Sequence, residues 1–250
     1  MSTVEKVAAP VGRVHSWDLS TGVDGPGTRF VLFLSGCPLR CLYCANPDTW
    51  RMRDGRRTTA DEVMARIEQH RPFLEAAGGG VTLSGGEPLL QAAFTGEILR
   101  RCRALGLHTA LDTSGFLGTR ASHALLRHTK LVLLDVKSYD PAAYRRLTGG
   151  RLAPTLAFAR RLEGLGVPVW IRYVLVPGWT DDDASVDALG AFLSGLGNVE
   201  RVDVLPFHKL GAAKYDALGI PFPLRDTPVP DRGLVRRVRD RFAAHGLRAC

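Results

Sequence analysis

Six times along this chain a short apolar run is followed by a longer stretch with helical spacing, and that alternation narrows the fold more than any other feature. Strands are expected at Phe30–Leu34, Val81–Leu83, Leu107–Leu111, Leu131–Val136, Val169–Val176 and Arg201–Leu205. Helices are expected at Thr59–Ala77, Leu89–Leu105, Arg120–His128, Pro154–Leu165, Asp183–Leu196 and Arg232–Ala244. Thr58 or Thr59 caps the first, with Asp61 and Glu62 in its first turn and Gly78 just past its end. Such βα units form a parallel sheet, and right-handed crossovers wind it. The expectation is an α/β fold, a partial (β/α)6 TIM-like barrel; strand counting alone leaves a doubly wound open sheet open.

No linker or composition break interrupts the pattern, so residues 11–250 read as one domain, with Val11–Trp17 leading into the first unit and 1–10 as a loose N-terminal tail. With 45% hydrophobic and 23% charged residues over 250 positions, a disordered or collagen-like chain is excluded. The longest apolar run, Phe30–Leu34, falls far short of the ~20 residues of a membrane span. The N-terminus has no secretory pattern, so a cytoplasmic location is expected, with no membrane partner. The net charge of +8 raises nucleic acid or an acidic protein as partners. Its arginines are scattered without interleaved aromatics, which argues against nucleic acid. The densest stretch, Arg232–Arg241, reads as the solvated face of a helix.

Three of the five cysteines, Cys37, Cys41 and Cys44, fall within eight residues. A cytoplasmic chain keeps them reduced, so they are metal-binding or redox-active. Three thiolates at this spacing can hold three corners of an iron–sulfur cube, leaving one iron for a non-protein ligand. The alternatives are a zinc site completed by His15 or His208, or inert core thiols.

In parallel βα folds chemistry gathers at the carboxyl ends of strands. Those ends carry Gly36 and Cys37, then Ser84-Gly85-Gly86-Glu87-Pro88, Asp112-Thr113-Ser114-Gly115, Asp135-Val136-Lys137, Val176-Pro177-Gly178 and Pro206-Phe207-His208. Gly85-Gly86 could bring main-chain carbonyls to an ammonium, or simply make a tight turn. Asp135 and Lys137 share a strand face and suit a ribose and a carboxylate, or form a plain ion pair. His208 could stack on a base. Asp24-Gly25-Pro26-Gly27 is a turn with exposed backbone, against which an extended peptide could lie.

Taken together, the three-cysteine loop, Ser84–Pro88 and the six βα units resemble the radical SAM enzymes. Further motifs are similar to the glycyl-radical-enzyme activases of that superfamily: Val23–Phe30, Cys41–Cys44, Asn46–Trp50, Gly78–Thr82, Leu111–Thr113, Trp170–Val174, Val176–Trp179 and Leu205–His208. No cysteine lies between Cys44 and Gly78, which resembles the single-cluster, pyruvate formate-lyase type. Ala45 stands where that type commonly has His, Pro47 replaces a polar residue, and Phe207 stands for Tyr.

The resemblance implies a [4Fe-4S] cluster on Cys37, Cys41 and Cys44, with S-adenosylmethionine chelating the fourth iron. It places Tyr43, Cys44 and Ala45 along the nucleoside, Gly86 on the methionine ammonium, Asp135, Val136 and Lys137 at the ribose and carboxylate, and His208 by the adenine. Asp112, Thr113 and Asp135 would form a monovalent-cation site, and Asp24 and Gly25 would meet the partner's peptide. A branched side chain at Gly86 is expected to block S-adenosylmethionine while sparing the cluster. The implied activity is reductive cleavage of S-adenosylmethionine to a 5′-deoxyadenosyl radical, which takes a glycine α-hydrogen from pyruvate formate-lyase. The expected protein is a monomer, reduced by flavodoxin. Rival readings are a radical SAM enzyme acting on another glycyl radical enzyme or on a small molecule, the latter marked by a closed pocket, and a non-enzymatic iron–sulfur carrier or zinc-stabilised binding module, of which the carrier would need a fourth protein ligand.

Overall fold

The structure is a computed structural model that describes residues 9–250. Its eight strands are β1 (Val11–Thr21), β2 (Thr28–Leu34), β3 (Arg56–Thr59), β4 (Gly80–Gly85), β5 (His108–Thr113), β6 (Leu131–Asp135), β7 (Val169–Leu175) and β8 (Val199–Pro206). The eight helices are α1 (Ala60–Ala76), α2 (Ala92–Ala104), α3 (His123–Arg127), α4 (Pro141–Thr148), α5 (Ala153–Gly164), α6 (Asp183–Ser194), α7 (Ala212–Ala217) and α8 (Arg232–Ala244).

One sheet contains every strand, in the order β3-β1-β2-β4-β5-β6-β7-β8. From β2 to β8 neighbours are parallel and follow chain order. The sheet is therefore wound in one sense, without the order reversal of a doubly wound fold. It does not close, because β3 and β8 remain separate edges. This is the expected partial barrel of six βα units, with an antiparallel addition: β1 pairs β2, and β3 pairs β1 from Val11 to Val14.

Alternation along each strand separates two faces. Val81, Leu83, Leu111, Val132, Leu134, Ile171, Tyr173, Val202 and Val204 face outward into the main core, with Met64, Ile67, Ile98, Leu99, Phe158, Leu162, Leu189 and Phe242 from the helices. The intervening residues face inward. Near the amino ends of the strands these are apolar, with Ala110, Leu131 and Leu133 packed on Trp170. Two residues further along the same faces they become Asp112, Asp135 and Arg172. One strand periodicity thus builds the barrel floor and the walls of the site above it.

The opposite end of the sheet is closed by a buried cation. Arg29 is fully buried. Its Nε donates to Thr82 Oγ1 at 3.0 Å, its Nη2 to the Val81 carbonyl at 2.6 Å, and its Nη1 lies 3.1 Å from His108 Nδ1. Burial lowers its pKa to about 10.

The helix ends follow local chemistry. Thr59 and Glu62 form a capping box at α1, with Glu62 N to Thr59 Oγ1 at 3.2 Å and Thr59 N to Glu62 Oε2 at 2.6 Å. The expected helix from Leu89 divides into a 3₁₀ turn at Pro88–Gln91 and α2. Residues 1–8 of the expected tail lie outside the described residues. The Pro10 carbonyl accepts from Ala60 N at 2.9 Å, so the chain is anchored from there.

Candidate active site

The carboxyl ends of the strands surround a cavity of about 420 Å³. Its lining runs from Val23, just past β1, to His208, just past β8, so the sheet curls far enough to bring its two halves to one space. Of the residues singled out in the sequence, Cys37, Cys41, Cys44, Tyr43, Ala45, Gly86, Asp112, Thr113, Asp135, Lys137 and His208 all line it. Three do not. Val136 is buried in the main core and its N–H donates to the Arg172 carbonyl at 3.1 Å. Asp24 and Gly25 stand behind Val23, where Asp24 Oδ1 lies 3.8 Å from Arg172 Nη1.

The cysteine loop is held by main-chain bonds on both flanks. Gly36 N and Cys37 N donate to the Thr49 and Trp50 carbonyls at 2.7 and 3.1 Å. Arg40 N and Leu42 N donate to the Thr148 and Leu147 carbonyls, at the end of α4, at 2.8 and 2.9 Å. Arg40 Nη1 donates to the Cys37 and Leu39 carbonyls, both at 2.7 Å, and its guanidinium lies over the Trp50 ring. Below the loop Tyr43, Leu147, Phe207, Tyr215 and Phe222 form a second apolar cluster.

The three thiols are free and half-buried. Burial raises Cys37 and Cys41 to about 12 and raises Cys44 as well. Without a metal these are neutral thiols, and a metal centre would displace their protons. His15, one of the two candidates to complete a zinc site, bonds Asp48 at 3.1 Å and Ser16 Oγ at 2.8 Å. Among the described residues no three His, Cys, Asp or Glu side chains gather closely enough to hold a single metal ion. Three free thiols around one cavity fit a larger group, which keeps its ligands further apart.

Gly86 closes the approach between β4 and this loop. Its N–H donates to the Leu34 carbonyl at 2.7 Å. A Cβ built there would stand 2.3 Å from the Gly36 carbonyl oxygen and 3.1 Å from that of Thr49. The space a side chain would take is therefore that of the cysteine loop itself. This corrects the expectation that a branched residue at 86 blocks the ligand and spares the cluster.

Glu87 is fully enclosed, and burial raises its pKa. It accepts from Thr113 Oγ1 at 2.6 Å, Ser114 Oγ at 2.6 Å, Ser114 N at 3.0 Å and Leu89 N at 3.1 Å. The Thr113 hydroxyl proton is thereby committed to Glu87. The two carboxylates of the expected cation site are bridged by an arginine, with Arg172 Nη1 3.1 Å from Asp112 Oδ2 and Arg172 Nε 4.0 Å from Asp135 Oδ1. Burial raises Asp112 to about 6 despite Arg172. Among the described residues Asp112 Oδ1 has no partner, and neither does the enclosed Tyr43 hydroxyl, so the wall retains unused polar capacity. Lys137 Nζ pairs with Asp135 Oδ2 at 2.7 Å and lies 5.7 Å from the Tyr43 ring centroid. Burial works against the Lys137 charge, but Asp135 raises its pKa above the ordinary value.

Arg172 was not among the candidates read from the sequence, although a charge in the middle of an apolar strand, Val169–Leu175, was the available signal. A second omission is the clamp over the cysteine loop. Lys214 Nζ, on α7, reaches Asn46 Oδ1 at 2.7 Å and Asp48 Oδ2 at 3.0 Å.

Residues 31–188 match the family model of the radical SAM superfamily. The chain is 43% identical over 238 residues to pyruvate formate-lyase 1-activating enzyme of Escherichia coli (strain K12), covering 94% of this chain and 97% of that one. It is 45% identical over 232 residues to pyruvate formate-lyase-activating enzyme of Staphylococcus epidermidis, covering 90% and 92%. Among solved structures, a domain of pyruvate-formate lyase-activating enzyme from Bacteroides vulgatus superposes with a TM-score of 0.58 at 27% identity, over 69% of this chain and 98% of that one.

Proposed function

We propose, for a chain that belongs to the radical SAM superfamily and within it to the pyruvate formate-lyase activating enzymes, that the cavity is the place where S-adenosylmethionine is cleaved and a partner's glycine is reached. The protein is an enzyme that installs the glycyl radical of pyruvate formate-lyase. The observation that carries the site assignment is the meeting of three free thiols and the ends of β4, β5 and β6 on one cavity.

Cys37, Cys41 and Cys44 would hold the [4Fe-4S] cluster. When bound, the cluster and S-adenosylmethionine supply one electron and the 5′-deoxyadenosyl radical that takes the glycine hydrogen. The residues of this chain orient and enclose. Main-chain carbonyls of Gly85-Gly86 would accept hydrogen bonds from the methionine ammonium. Lys137, kept charged by Asp135, meets the methionine carboxylate, and Asp135 the ribose. Tyr43, Cys44 and Ala45 lie along the nucleoside. Ala45 contributes only backbone there, and His208 stands at the adenine. Val136 acts through its main chain, since its side chain belongs to the core. The Asp112 oxygen that has no partner among the described residues, with Asp135 and the Thr113 backbone, would take a monovalent cation. Asp24 and Gly25, which follow the cavity-lining Val23 in the chain, would receive the peptide.

A monomer is the proposed state. No described helix is long and apolar enough to cross a membrane, in keeping with a cytoplasmic enzyme. Reduced flavodoxin is the proposed electron donor.

The test is anaerobic reconstitution followed by incubation with pyruvate formate-lyase, S-adenosylmethionine and a reductant. The expected results are four irons per chain and a glycyl radical by electron paramagnetic resonance. Cys41→Ala should lose the cluster. Cys102→Ala should keep it, because Cys102 is buried against Met64 Sδ at 3.9 Å, away from the cavity. Equal loss of iron in both variants would refute the ligand assignment.

A further inference from the structure

A cluster on three half-buried thiols must receive its electron from outside the chain, so the donor has to meet the surface around Cys37–Cys44. That surface is fixed by the contacts already described. The loop is seated on the end of α4 through Arg40 N and Leu42 N, and on Thr49–Trp50 through Gly36 N and Cys37 N. Past α4, a Cβ on Gly150 would stand 2.6 Å from Leu39 Cδ2, so the next stretch of chain is pressed against the loop as well.

These contacts collect Arg40, Arg51, Arg53, Arg145, Arg146 and Arg151 on the flanks of the loop, and all six are exposed. Among the described residues only Arg53 has a carboxylate within ion-pair distance, Asp54 at 3.8 Å. The helix with the densest arginines is different. On α8, Arg241 is paired with Asp183 and Asp187, and Arg237 with Asp183 at 3.5 Å, while Asp231 and Asp240 belong to the same segment. The larger uncompensated charge thus surrounds the cysteines.

Local structure accounts for part of this. Arg40 holds loop carbonyls, and Arg145 and Arg146 suit the last turn of a helix. It does not account for Arg51 and Arg151, which have no carboxylate within ion-pair distance among the described residues. A negatively charged partner would supply that missing counter-charge, and opposite charge would guide its approach.

We infer that this arginine collar is the docking face for an acidic one-electron carrier protein. The inference rests on the proposed cluster. In the encounter the carrier is oxidised by one electron and the cluster is reduced by one, with no bond or proton exchanged. The collar places the carrier on the thiol side, away from α8.

The test compares two charge reversals in the cluster-loaded protein. One is R51E/R145E/R146E/R151E, which leaves the loop-bound Arg40 and the paired Arg53 in place. The other is R232E/R236E/R239E on α8. Stopped-flow absorbance follows reduction by reduced flavodoxin, and separately by photoreduced deazariboflavin, which carries no net charge. At low ionic strength the collar variant should slow reduction by flavodoxin by about tenfold or more, and the α8 variant by less than about twofold. Deazariboflavin should reduce all three proteins equally. Titration with oxidised flavodoxin should show weaker binding in the collar variant alone. If the glutamates impair folding or cluster loading, the glutamine series R51Q/R145Q/R146Q/R151Q should still slow flavodoxin selectively.

Equal slowing by both reversals would overturn the inference in favour of a field from the whole chain. So would normal reduction of the collar variant. A collar variant that is reduced normally but, once reduced by deazariboflavin, forms the glycyl radical slowly would assign the face to pyruvate formate-lyase instead. Failure of the proposed function looks different: no glycyl radical forms with the wild-type protein under deazariboflavin.

Discussion

Arg172 and Asp112 form the buried ion pair that joins β7 to β5, with Nη1 to Oδ2 at 3.1 Å. Ser84 Oγ donates to the same carboxylate oxygen at 2.5 Å, so β4 is tied in as well. Burial works against the charge on Arg172, while Asp112, Asp135 and Asp24 raise its pKa above the ordinary arginine value. Arg172 is thus the cation nearest Asp112 and Asp24 in the cavity wall, and it shares Asp135 with the closer Lys137.

Arg172→Gln should leave the Asp112 carboxylate without its cation, while Asp135 keeps Lys137. Removing one partner of such a pair costs about 3–5 kcal/mol. The expected outcome is a large fall in melting temperature, with a smaller fall for Arg172→Lys, which keeps the charge but not the planar fork. A melting temperature for Arg172→Gln within a degree or so of wild type would show that the pair contributes little.

Glu87→Ala should strip the acceptor from the Thr113 hydroxyl, the Ser114 hydroxyl and the Ser114 N–H at once. A buried donor left unsatisfied costs about 1–3 kcal/mol. Loss of stability is expected before any loss specific to catalysis. Hydrogen exchange should reveal faster opening at Ser114 and Gly115 than at the distant Val202.

Gly86→Val should reduce iron loading together with S-adenosylmethionine binding, because the new Cβ meets the Gly36 carbonyl at 2.3 Å. Iron content after reconstitution, measured beside calorimetric titration, separates the cases. Full iron with no S-adenosylmethionine binding would restore the simpler expectation of a blocked ligand.

His108 contributes one part of the pH dependence. An arginine can only donate, so Nδ1 must accept from Arg29 and the ring must be neutral. Burial, then repulsion from Arg29, lowers its pKa to about 4. An unfolded histidine titrates near ~6.5. As pH falls from the unfolded value toward the folded one, the unfolded chain takes a proton that the folded chain refuses, so stability falls. His108→Gln, which keeps an acceptor but cannot titrate, should flatten that part of the profile. Thermal melts between pH 7 and pH 4.5 on both proteins decide it; parallel curves would place the titration elsewhere.

The parts of this fold legible in the sequence are those with one buried face and clear punctuation. Arg232–Ala244 is found at its expected bounds, with Asp231 as cap. The strand ends were legible because Gly, Asp and Thr interrupt apolar runs. β1 was read only as a lead-in to Trp17, since its second half is polar and a bulge between Val14 and Ser16 breaks the alternation. α4 was missed although Asp140 caps it, Pro141 opens it and Gly149 closes it. Its eight residues are too few for periodicity to register. Arg172 escaped because a pairing among three carboxylates from separate segments is a property of the curled sheet and has no spacing in the chain.

The two margins of the sheet are finished differently. Beside β8, Val202 N and Val204 N donate to the Arg248 and Cys250 carbonyls at 2.8 and 3.0 Å, so the chain's own residues occupy that margin. Beside β1, β3 stops at Val14, and among the described residues Ser16–Thr21 pair only with β2. Trp17 and Leu19 are exposed along that stretch. A bare strand margin with apolar side chains is a template for another strand. Self-association of this protein should therefore be one-sided, growing from Trp17–Leu19 and never from β8. A lysine at Leu19 would improve its solubility where a charge placed at the far margin would not.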